Sequence, residues 1–127
     1  MNENYNKGIE ILRKMAGAEG ENVIKDLSNI YPDLAEKVVS FGFGEIYSRQ
    51  TLDLRFREIV TLSSLITQGA FEQLDFHVQI ALNIGLKPEE ILEIVLQCTV
   101  YVGFPKAISA LIIVGEVFKK NNIDSTG

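Results

Sequence analysis

Apolar side chains recur along this chain at spacings of three and four residues, and a strict alternation of period two is absent. The pattern predicts an all-α protein without strands. Tyr5, Ile9, Leu12 and Met15 form one stripe and predict a helix from about Asn4 to Met15. Gly17 and Gly20 are expected to divide it from a second helix over about Glu21 to Ile30. Pro32 suits the first turn of a third, reaching about Ser48. Asp53 is a candidate N-cap for a fourth, which runs to Gln68 and closes at Gly69. A fifth covers about Ala70 to Ile84 and stops at Gly85. Pro88 opens a sixth, with Glu89 and Glu90 against its positive N-terminal end. Gly103 and Pro105 separate it from a seventh, whose last turn carries Lys119 and Lys120. The expectation is a single domain over residues 1–127, built of about six to seven helices, with a disordered tail after Lys120.

The last two helices differ from the others. From Ile91 to Val102 only Glu93, Gln97 and Thr99 are polar, and from Ala107 to Phe118 only Ser109 and Glu116. A helix that is apolar nearly all round must be covered on most sides. A chain of 127 residues has difficulty enclosing two such helices by itself. A homo-oligomer in which a partner subunit covers this hairpin is therefore expected.

Composition narrows the classes of function. The formal charge of −5 speaks against a nucleic-acid partner, which calls for a basic face. An anionic substrate would need a local basic cluster, and three of the four arginines, Arg49, Arg55 and Arg57, fall in one short stretch. The apolar runs are interrupted by Glu93, Gln97, Ser109 and Glu116, and the first sixteen residues lack an apolar block. No membrane span and a cytoplasmic location are expected. One cysteine, Cys98, and one histidine, His77, allow neither an intramolecular disulfide nor an ordinary zinc site, so no metal is expected.

His77 is the first candidate for chemistry, as a general acid or base. Ala70, Gln73 and His77 share one helical face, and Gln73 is placed to orient the ring or bind a ligand. Glu58 opens an uncharged run and is a candidate for proton exchange. The structural alternative pairs it with Arg55, one turn earlier. Cys98 and Tyr101 lie in the apolar sixth helix, where a core or interface role is the simpler reading.

The chain resembles the carboxymuconolactone decarboxylase family, which shares the alkylhydroperoxidase D-like fold. Tyr5, Gly8 and Arg13 resemble its opening helix, and Phe43-Gly44-Glu45-Ile46-Tyr47-Ser48-Arg49 the approach to its common arginine. Leu52-Asp53, Arg57 and Thr61-Leu62 resemble the helix that follows. Gln73-Leu74-Asp75-Phe76-His77 and Asn83-Ile84-Gly85-Leu86 resemble the histidine helix and its stop. Pro88-Glu89-Glu90-Ile91 and Tyr101-Val102-Gly103-Phe104-Pro105 complete the set.

The resemblance implies helices around an apolar hairpin, assembled as trimers or hexamers. The redox branch of the superfamily uses two cysteines, and Ala70 and Gln73 stand in their places here. Disulfide chemistry of the alkylhydroperoxidase kind is thereby removed. The decarboxylase branch implies a cofactor-independent lyase acting on 4-carboxymuconolactone or a related carboxylated lactone or keto acid in aromatic degradation. His77 and Glu58 would then be catalytic, and Arg49, Arg55 and Gln73 would bind a small anionic substrate. Gln50-Thr51 replaces a usual Pro-Gly, Lys87 a common threonine, and Glu58 a small residue, which points to a related rather than identical substrate. A non-catalytic oligomeric binding protein on the same scaffold is the alternative.

Overall fold

A computed structural model describes residues 3–124, which contain helices and no strand. The chain forms two compact units, one ending at Leu54 and the other beginning at Arg55.

In the first unit, helix α1 spans Glu3–Ile30 and buries Leu12, Met15 and Ile24 along one side. Gly17 breaks its helical geometry, with φ 60° and ψ −147°, a conformation natural only to a residue without Cβ. The expected second break at Gly20 does not occur. Gly20 is helical and buried, and a Cβ there would press on Leu12 and Ala16. Helix α2, Pro32–Lys37, begins with proline as expected, but the regular helix does not run on to Ser48. From Val38 to Tyr47 the chain widens into a π-helical segment. The Ser40 hydroxyl donates to the Glu36 carbonyl at 2.9 Å, a back-bond that competes with regular helical pairing. The segment crosses α1 at very close range at two points. Gly8 meets the Val39 carbonyl, and Gly44 meets the Asn4 carbonyl.

The second unit holds α3 (Leu54–Gln68), α4 (Phe71–Asn83), α5 (Pro88–Val102) and α6 (Phe104–Lys120). Its boundaries follow the glycines: Gly69, Gly85 and Gly103 all have positive φ. The core is formed by Leu62 and Ile66 of α3, Leu74 and Val78 of α4, Ile91 and Val95 of α5, and Val114 and Phe118 of α6. Each side chain of this size contributes about 2 kcal/mol when fully buried.

The stretch after Lys120 is not structureless. Asn121 exchanges side-chain hydrogen bonds with Gln79 and donates to the Val117 carbonyl, and Ile123 packs on the core. Residues 125–127 of that expectation lie outside the described range.

The apolar hairpin of α5 and α6 has one buried and one open side. Ile91, Val95 and Cys98 face inward from α5, whereas Leu96, Val100 and Tyr101 are exposed. On α6, Phe104, Ile108, Leu111 and Ile112 are exposed in the same way. No helix among the described residues is long and apolar enough to cross a membrane.

Candidate active site

Glu58, Leu62 and Ile66 recur every four residues and make the buried stripe of α3. Glu58 is thus a carboxylate at a core position, and it is fully buried. On α4 the buried stripe is Leu74, Val78 and Ala81. His77 flanks it, three residues after Leu74 and four before Ala81, so its ring lies at the border between core and surface.

The two stripes bring these side chains together. His77 Nδ1 lies 3.1 Å and 3.2 Å from the two carboxylate oxygens of Glu58. The ionised form of Glu58 only accepts, and with it the hydrogen sits on Nδ1 and is donated to both oxygens. This fixes the tautomer and direction of the ring. Nε2 has no hydrogen-bond partner among the described residues. No buried polar side-chain atom there is left unpaired, so Nε2 reaches the surface. The His77 side chain is 15% exposed. The Phe76 ring meets the imidazole edge-on, with centroids 5.4 Å apart.

Other expected site residues are distributed differently. Arg55, one turn before Glu58, does not pair with it. Its Nη2 donates to both oxygens of Glu90, at 2.8 Å and 3.0 Å. Glu90 also accepts the Lys87 backbone N–H at 2.8 Å. That backbone bond, followed by the Arg55 contact, holds the Glu90 carboxyl below its usual range. In the sequence Glu90 stands only against the helix dipole, and its contact with Arg55 is not apparent there. Its one local signal was the position three residues after the Lys87 start of α5, where a carboxylate can reach back to the chain. Gln73 is exposed and its side chain makes no hydrogen bond among the described residues, so the ring is oriented by Glu58 rather than by Gln73. Arg49 is exposed and belongs to the first unit, just past the π-helical segment. Cys98 is buried in the core, and no second cysteine exists to pair with it. The described residues contain no group of three histidine, cysteine, aspartate or glutamate side chains able to hold a metal ion.

A sequence model of the carboxymuconolactone decarboxylase family matches residues 32–116. The chain belongs to this family. It is 29% identical over 118 residues to a 4-carboxymuconolactone decarboxylase of Acinetobacter baylyi, covering 92% of this chain and 88% of that one. It is 31% identical over 110 residues to the nitrosuccinic acid decarboxylase npaB of Metarhizium robertsii, covering 86% and 77%. It is 26% identical over 117 residues to an uncharacterized 15.0 kDa protein of Paracoccus denitrificans, covering 91% and 87%. Two of these three family relatives thus carry the name of a decarboxylase, and the matched region contains the whole Glu58–His77 pair.

Proposed function

We propose that this protein is a cofactor-independent decarboxylase of 4-carboxymuconolactone or a related small carboxylated lactone or keto acid, with His77 as the acid–base residue. The two relatives named as decarboxylases support the reaction class. The observation that carries the site assignment is the double contact of Nδ1 with buried Glu58, which leaves Nε2 facing outward.

In this reading the bond between the carboxylate carbon and the ring breaks, and carbon dioxide leaves. The electron pair passes towards the lactone carbonyl. The resulting dienolate takes a proton at carbon from Nε2–H of the imidazolium form of His77, leaving a neutral ring whose Nδ1–H stays hydrogen-bonded to Glu58. Solvent returns the proton to Nε2. Glu58 offsets the charge on the ring and keeps it in one orientation, as a buried carboxylate does beside other catalytic histidines. Arg55 holds a substrate carboxylate through its guanidinium group. Gln73, exposed on the His77 helix, supplies a further hydrogen bond to the ligand. The enzyme acts as a cytoplasmic homo-oligomer, a trimer or hexamer, joined through the open side of the α5–α6 hairpin.

The test is turnover of 4-carboxymuconolactone by wild type and His77→Ala. The expected result is a loss of kcat of about 100-fold or more, with unchanged elution from a sizing column. Wild-type turnover in the variant would overturn the role of His77.

A further inference from the structure

We infer that Glu90 is a positioning residue, holding the Arg55 guanidinium in place to receive a substrate carboxylate. The inference rests on the reading of Arg55 as a substrate-binding residue. Its basis is a three-part chain. The Lys87 backbone N–H donates to Glu90 Oε1 at 2.8 Å, and both Glu90 oxygens accept from Arg55 Nη2. The carboxylate is tied to the main chain at the start of α5 and so is itself fixed. It transfers that fixity to the end of a long, rotatable side chain.

Arg55 sits one turn before Glu58 on α3, about 4.5 Å along the helix axis. Its side chain is half exposed. Only Nη2 is engaged, and Nε and Nη1 have no partner among the described residues. The remaining donors are therefore open to a second carboxylate, which would meet the guanidinium on the side away from Glu90. Ordering these donors beforehand lowers the entropy lost when the substrate binds.

Kinetics on 4-carboxymuconolactone, and calorimetric binding of succinate as a non-reacting probe, test the inference. The proteins are wild type, Glu90→Gln, Glu90→Ala, Arg55→Ala and the double variant Arg55→Ala/Glu90→Gln. Glutamine keeps an acceptor for the Lys87 N–H, so the start of α5 is preserved. Losing the charged contact in Glu90→Gln should raise KM, or the succinate Kd, about fivefold with kcat within about twofold. Glu90→Ala should raise it further. In the Arg55→Ala background, Glu90→Gln should add nothing. An unchanged KM in Glu90→Gln, or an equal rise without Arg55, would overturn the inference alone. Wild-type KM and Kd in Arg55→Ala would overturn the reading of Arg55 as well. Failure of the wild type both to turn over the lactone and to bind succinate would do the same.

Discussion

At the scale of single residues, the site rests on a carboxylate that occupies a core position. Glu58 replaces an apolar side chain on the buried stripe of α3 and is held there by His77. Removing one partner of such a pair leaves the other uncompensated, so Glu58→Ala should destabilise the protein by about 3 kcal/mol, read by urea unfolding. Glu58→Gln keeps the size but gives up the acceptor symmetry that holds Nδ1–H. It should fold and lose turnover by at least about tenfold. Equal turnover in Glu58→Gln would remove Glu58 from the mechanism. Glu90 gives a prediction in pH. Its folded-state carboxyl titrates below the ordinary range because it accepts from Lys87 N–H and Arg55. A depressed folded value contributes stability above the unfolded value and loses it as pH falls through the folded one. The stability gap between wild type and Glu90→Gln should therefore be open at pH 7 and close below the usual carboxylate range. A gap independent of pH would contradict it. His77 and Glu58 stand out in the sequence because His77 is the one histidine and Glu58 opens a long uncharged run. The partner of Arg55 was not, because Glu90 lies 35 residues away and only tertiary packing brings it close.

At the scale of elements, helical spacing and glycine punctuation located α3 to α6 almost to the residue. The same spacing could not separate a π-helical segment from a regular one, since the hydrophobic period differs little over ten residues. Nor could it tell which glycines break a helix and which admit a neighbour. Gly17 breaks one, whereas Gly8 and Gly44 admit a neighbour, and the two kinds predict different costs. A Cβ on Gly8 would lie 2.1 Å from the Val39 carbonyl oxygen, and one on Gly44 would lie 1.9 Å from that of Asn4. Both obstacles are main chain and cannot rotate aside. Gly8→Ala and Gly44→Ala should each cost about 3 kcal/mol or fail to fold. At Gly17 nothing lies within 4 Å of an added Cβ, and only the positive φ opposes it. Gly17→Ala should cost about 1–3 kcal/mol. Denaturant midpoints for the three variants test this order. A Gly17 variant weaker than the other two would show that backbone conformation, not contact, dominates here.

At the scale of the whole molecule, composition already signalled that two helices were too apolar for one chain to cover. The structure localises the excess. Val100 is 74% exposed and Tyr101 79%, on the helix that also exposes Leu96, and the next helix exposes Phe104 and Ile108. Between the helices runs an apolar groove of about 260 Å³, lined in part by Leu96, Thr99, Ile108 and Leu111. An apolar surface of this kind is unfavourable in water, and the assembly proposed above would cover it. Because the surface is the same on every copy, a symmetric assembly can cover it completely. Light scattering of the wild type should give a multiple of the subunit mass that does not change on moderate dilution. Tyr101→Glu and Ile108→Asp place a carboxylate where the partner would exclude water, a cost that an apolar contact cannot offset. Each should shift the mass to that of one subunit, while His77→Ala should leave it unchanged. A wild-type protein of single-subunit mass would overturn the assembly. A retained oligomer in both charged variants would place its interface elsewhere than on α5 and α6.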